Sequence, residues 1–274
     1  MIGANQVKYN GQSLAENSQA AFNEKQRYLQ KTHMALLGFL RENKIQSTFF
    51  VTGRIYEACP NMIEAIAAAG HEIGWHGHNH VAMTDEGVLR RELEQSASFL
   101  DKYQPKGFRA PWVIAQKSFL PILKKAGFQY DSSCFDSPGR FHHVDGMKIL
   151  PVTGWRLFGG KDLYSEQGSR YTAALRVLPI GSNFTVSVLR RHYALVLERL
   201  TKQRENGIFY LHNWQIFPWP ERQLSILKNR LRYVQKFPLL DTVKYLSERQ
   251  TFFPMERLLE ADRQVGHCLT FDIE

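Results

Sequence analysis

TFFVTGRIYEACPNMIEAIAAAGHEIGWHGHNH, residues 48–80, is the stretch on which the fold turns. The apolar run STFFVTG, from Ser47, ends on Gly53. A helical segment follows with Pro60 in its first turn, an alanine-rich middle and Gly70 just past its end, the asymmetry that helix termini favour. HEIGWHG is then a second short strand. The strands read as continuous apolar runs, so they predict a parallel sheet covered on both faces by helices.

The same alternation extends in both directions. Before it, Phe22, Leu29, Leu36 and Leu40 fall on one face of a helix predicted over 19–43. After it, Thr84, Asp85 and Glu86 open a helix carrying Leu89, Leu93 and Leu100. KGFRAPW (106–112) reads as a strand, SFLPILKKAG (118–127) as a helix, and FQYDSS (128–133) and KILPVTG (148–154) as strands. Residues 155–187 are less regular. A helix over 189–205 leads into GIFYLHNW (207–214), helical segments follow at 221–236 and 239–248, and HCLTFDIE (267–274) is a last strand. The seven apolar runs TFFV, HEIGW, GFRA, FQYD, KILPV, IFYL and CLTF predict an α/β fold, a distorted (β/α)7 barrel, as a single domain over 1–274.

Composition narrows the function classes. The chain of 274 residues is 43% hydrophobic and 22% charged, ordinary for a packed globular core. Its net charge of +9 is dispersed through helical segments such as LRRHYALVLERLTKQR, with no compact basic run, so no nucleic-acid partner is expected. No apolar run approaches the roughly 18 residues of a membrane span. The first residues, MIGANQVKYNGQSLAEN, show no signal peptide, which makes a cytoplasmic location the expectation. Cys59, Cys134 and Cys268 are scattered, which fits packing residues better than a disulfide framework or a cysteine-rich metal site.

In α/β barrels the chemistry sits where strands end. Here those places carry His76, His78 and His80, then Arg109, Asp131, His212, and Asp272 with Glu274. HEIGWHGHNH holds four of the chain's ten histidines. His76 and His80 stand four apart, so on a helical turn both imidazoles reach one ion. Such a pair by itself also describes two surface histidines. Imidazole suits Zn2+ and neighbouring divalent metals such as Co2+ or Ni2+, and a catalytic zinc commonly adds a carboxylate and keeps a position for water. Asp272 and Glu274, two apart on one strand, face the same side. One can bind the ion while the other accepts a proton from water.

Taken in order, TFFVTG, AAAGHEIGWHGHNH, GFRAPW, GFQYDSS, ILPVTG and IFYLHNW resemble the polysaccharide deacetylases, the nodulation-protein-like carbohydrate esterases of family four. The subgroup resembled is that of exopolysaccharide gene clusters, whose metal motif reads HGxxH. The resemblance implies a distorted seven-stranded barrel and a metal-dependent deacetylase acting on an N-acetylated glycan. It makes His76, His80 and Glu274 the metal ligands, Asp272 the base and Arg109 the residue holding it. His212 becomes the acid, and Leu211 the wall of the acetyl pocket. A backbone N–H near Trp112 helps to stabilise the oxyanion, and Asp131 stands in for the group orienting His212. Beside the resemblance, Trp75, Trp112 and Trp214 near the strand ends are aromatic surfaces for a sugar. The family's base motif lies on the first strand, whereas LTFDIE comes last here, so the chain resembles a circularly permuted member. Three readings remain beside it: an allantoinase-like C–N hydrolase, a non-catalytic glycan-binding relative, and an iron oxygenase with two histidines and one carboxylate.

Overall fold

The computed structural model describes residues 14–156, 163–164, 177–212, 239–260 and 266–273. Helix α1 (Leu14–Glu42) leads into β1 (Thr48–Val51). Helices α2 (Gly53–Ala58) and α3 (Pro60–Ala68) connect it to β2 (Glu72–Trp75). Next come α4 (Glu86–Gln95), α5 (Ala97–Tyr103), β3 (Gly107–Phe108), α6 (Phe119–Lys125) and β4 (Tyr130–Asp131). Short strands β5 (Phe135–Asp136), β6 (His142–Val144), β7 (Met147–Ile149) and β8 (Val152–Thr153) follow, then an antiparallel pair, β9 (Trp155–Arg156) with β10 (Val177–Leu178). After helices Asn183–Leu189 and Tyr193–Lys202 come β11 (Ile208–His212), helix Leu240–Ser247 and β12 (Cys268–Ile273).

Eight strands form one curled sheet in the order β11-β12-β1-β2-β3-β4-β7-β6. All seven sequence-read strands are in it and run parallel, and β6 adds an antiparallel edge. The curl is a half-barrel, and no ladder joins β11 to β7 among the described residues. Thr153 spans that gap instead: its Oγ1 accepts from the N–H of Ile208 at 2.7 Å and its carbonyl from Gly181 at 2.6 Å. The segments expected at 221–236 and over most of 155–187 lie outside the described residues.

Burial on both strand faces explains the apolar runs. β1, β2 and β12 are buried at every position. Outward-facing Phe49, Val51, Phe209, Leu211 and Phe271 pack with helix residues such as Leu36, Ile63 and Leu197. Inward-facing Phe50, Tyr130, Ile208 and Cys268 form a second cluster with Phe253, Met255 and Leu258. That C-terminal segment closes the end of the curl where the strands begin. The Met255 N–H donates to Thr48 Oγ1 at 2.8 Å and the Glu256 N–H to Glu72 Oε2 at 2.9 Å, both at the first residues of their strands. Only the end where the strands finish is left for chemistry.

Glu72 makes the closed end sensitive to pH. Burial pushes its carboxyl up to about 7, against hydrogen bonds from Thr48, the Glu256 N–H and Tyr130 that favour the charged form. The folded value exceeds the ordinary 4.5, so its contribution to stability is full below about 4.5 and is lost as pH rises through about 7. Glu72→Gln removes this dependence. From pH 5 to pH 8 the variant is expected to gain on the wild type by on the order of 2–3 kcal/mol. Urea unfolding of both at the two pH values measures this, and parallel curves would place the titrating group elsewhere.

Candidate active site

His76 directly follows β2, Arg109 follows β3, and His212 and Asp272 lie at the ends of β11 and β12. Register makes His212 and Asp272 cross-strand partners, and Phe50 is the partner of Asp272 on its other side. Arg109 comes from the third strand beyond β12 and crosses the inside of the curl. Its Nη1 donates to Asp272 Oδ1 at 3.0 Å and to Thr270 Oγ1 at 2.7 Å, and its Nη2 to Ser132 Oγ at 2.9 Å. The guanidinium lies 4.2 Å from the Phe50 ring centroid. Gly74 makes that possible, because a Cβ there would stand 2.6 Å from the Phe50 ring. Both members of the Arg109–Asp272 pair are buried, with side-chain exposures of 0% and 3%.

The same arginine serves the histidines through its backbone. His76 Nδ1 lies 2.8 Å from the Arg109 carbonyl, which can only accept, so Nδ1 carries the proton. The neutral ring then has its acceptor lone pair on Nε2, the arrangement typical of a metal-binding histidine. The His80 ring centroid is 5.0 Å from that of His76. The two do not share a helical turn, as the spacing had suggested. Residues 76–80 form a loop in which Gly77 has φ +79° and His80 φ 55°, and these left-handed residues bring the rings together. His78 turns away: its Nδ1 is 3.4 Å from Ser96 Oγ and its Nε2 3.9 Å from Glu57. His71 is structural, its Nδ1 accepting from the Ser47 N–H at 3.3 Å.

The donor set suits a borderline metal, with two imidazoles side by side and one tautomer fixed by a carbonyl. Among the described residues no group of three His, Cys, Asp or Glu side chains could hold an ion, and Glu274 lies outside them, as does Trp214. Trp112, about half exposed, has its ring centroid 5.3 Å from that of His80, whereas Trp75 is fully buried, donates to Ser96 Oγ at 2.9 Å and offers no face to a sugar. It has φ 64° and the following Val113 φ 57°, a strained pair for residues with a Cβ, and the β-branched valine most of all. Such strain collects at functional sites.

Two expected residues are placed differently. Leu211 is fully buried in the outer core cluster. Strand alternation puts Tyr210 on the His212 face, with ring centroids 5.7 Å apart, and Tyr210 also faces Arg109 at 5.5 Å. Leu211 therefore does not line a pocket beside His212. Asp131 is fully buried and takes hydrogen bonds from Ser133 Oγ and, at 2.6 Å, from Tyr164 OH. Ser133 in turn accepts from the Ala110 N–H at 2.7 Å, so Asp131 braces the backbone beside Arg109. Burial pushes its carboxyl up to about 6. A residue the sequence reading passed over is Glu92. It sits three positions after Leu89 on the buried face of α4, and a charge at a core position was the available signal.

Residues 21–130 match the family model described as polysaccharide deacetylase. A peptidoglycan deacetylase of Helicobacter pylori is 34% identical over 104 residues, covering 36% of this chain and 35% of that protein. A peptidoglycan deacetylase-like protein, FGM2, of Gibberella zeae is 29% identical over 187 residues, covering 61% and 53%. The chain thus spans about a third to a half of the length of these relatives. A 4-alpha-glucanotransferase from Thermococcus litoralis superposes with a TM-score of 0.51 at 14% identity over 86% of this chain and 35% of that one, a likeness of fold alone. Over residues 21–130, and over the spans these relatives match, the chain is similar to polysaccharide and peptidoglycan deacetylases.

Proposed function

We propose that this chain hydrolyses the N-acetyl group of amino sugars within a glycan. One observation carries the reading: Arg109 holds the base candidate by its side chain and the metal-ligand candidate by its backbone, at 3.0 and 2.8 Å. The peptidoglycan deacetylases among the relatives supply the substrate class, an N-acetylated glycan of the peptidoglycan kind.

His76 and His80, with Glu274 as third ligand, would hold Zn2+ or a similar divalent metal, which supplies Lewis acidity to the amide carbonyl and acidifies water. Asp272 takes the proton from the attacking water, and the buried Arg109, donating to its Oδ1 at 3.0 Å, holds it in place. His212, next to Asp272 across the ladder, gives a proton to the departing amine. One group that takes a proton and one that delivers it, side by side, are what amide hydrolysis requires. Trp112 offers an exposed aromatic face to a sugar ring beside His80. We read the HGxxH form of residues 76–80 as that of the exopolysaccharide subgroup. We also read the chain as circularly permuted, because LTFDIE, which resembles the family's first-strand base motif, stands here on β12, after the other strands.

The test is acetate release by zinc- or cobalt-loaded protein from peptidoglycan, chitin-type and exopolysaccharide fragments, with allantoin in the same panel. Turnover of an N-acetylated glycan supports the proposal. Turnover of allantoin alone, or of nothing, overturns it in favour of a C–N hydrolase or a binding protein respectively.

A further inference from the structure

The His76–His80 loop has no regular secondary structure, yet four of its backbone polar groups bond to two helices. From one side, the N–H groups of Gly53 and Arg54, at the start of α2, donate to the carbonyls of Gly77 and His78 at 2.9 and 3.1 Å. From the other side comes Glu92 of α4, only 4% exposed. Its Oε2 accepts from the N–H groups of His78 and Asn79 at 2.6 and 2.8 Å, and its Oε1 from Asn79 Nδ2 at 2.8 Å. Successive N–H groups converging on one anion make a nest, and that geometry depends on the left-handed turn at Gly77. The packing there is close, since a Cβ on Gly77 would stand 3.1 Å from Glu92 Oε2.

We infer that Glu92 is a positioning residue for the metal pair: it locks the loop conformation in which the His76 and His80 rings stand 5.0 Å apart. A buried carboxylate in an amphipathic helix is costly, and three hydrogen bonds to a five-residue loop give it a reason to be there. The carboxylate touches backbone and Asn79, neither imidazole, so it acts on affinity through geometry. The inference rests on the metal reading of this site.

The experiment is zinc titration of the full chain against a chromophoric chelator, with far-UV circular dichroism and thermal unfolding of the metal-free proteins as controls. Glu92→Ala is expected to weaken zinc binding about 10–100-fold. Glu92→Gln should stay within a few-fold of wild type, because Oε1 can still accept both N–H groups and Asn79 can turn its amide toward Nε2. Glu92→Asp keeps the charge but shortens the reach, and should fall between the two, so it serves if the alanine variant fails to fold. A folded alanine or aspartate variant that binds zinc as the wild type does would overturn the inference. A wild type that binds no zinc, with His76→Ala no different, would instead remove the metal reading beneath it.

Discussion

Asp272→Asn is expected to lower acetate release by about 10²–10⁴-fold, the range for loss of a general base. The substitution is nearly isosteric, and its amide oxygen can still accept from Arg109 Nη1 where Asp272 Oδ1 does now, at 3.0 Å. What disappears is the capacity to take a proton from water. Zinc affinity should change little, because in the proposed site Asp272 is not a ligand. Kinetics at saturating metal, beside zinc titration, separate the two roles. Undiminished turnover would move the base to another residue. A variant that is inactive because it has lost zinc would make Asp272 a ligand.

Arg109→Met should be the most destabilising single change at this end of the molecule, by roughly 3–5 kcal/mol. The pair it belongs to is buried on both sides, so removing the cation leaves a carboxylate of 3% side-chain exposure without its partner. Thr270 Oγ1 and Ser132 Oγ lose a donor as well. The double variant Arg109→Met with Asp272→Asn removes both charges, and is expected to recover part of the loss. Urea unfolding of the four proteins gives the coupling energy directly. Additive effects, or a stable single variant, would mean that the two charges are not coupled as their 3.0 Å contact implies. The activity of Arg109→Met is expected to fall with Asp272→Asn, since the arginine works through the same carboxylate.

The pH dependence assigned to Glu72 and the activity assigned to Asp272 belong to opposite ends of the half-barrel. One end is plugged by Phe253, Met255 and Leu258; the other carries the reactive side chains. Glu72 can therefore be changed without touching the residues proposed to react, whereas Met255 of the plug has its Sδ 3.9 Å from Arg109 Nη2. This division follows from parallel strands, which put all their starts at one end and all their finishes at the other.

Much of this was legible in the residue order. Strand runs apolar on both faces, separated by helices with Pro60 and Gly70 at their ends, determined a parallel helix-covered sheet, and reactive residues at strand ends determined where to look. Such features are local, with periods of two or 3.6 residues that report a segment's own geometry. The resemblance put Leu211 beside His212, whereas the strand period of two puts Tyr210 on that face. Only the tertiary structure could decide that Arg109 meets a carboxylate 163 positions away. The same holds for the His76 tautomer, set by a carbonyl of another strand, and for the loop from 76 to 80, held by a glutamate on α4. Those contacts depend on sheet order and curl, which arise from pairing between distant segments. Spacing along the chain carries no record of which strands will be neighbours, so it named the residues and left their partners to the fold.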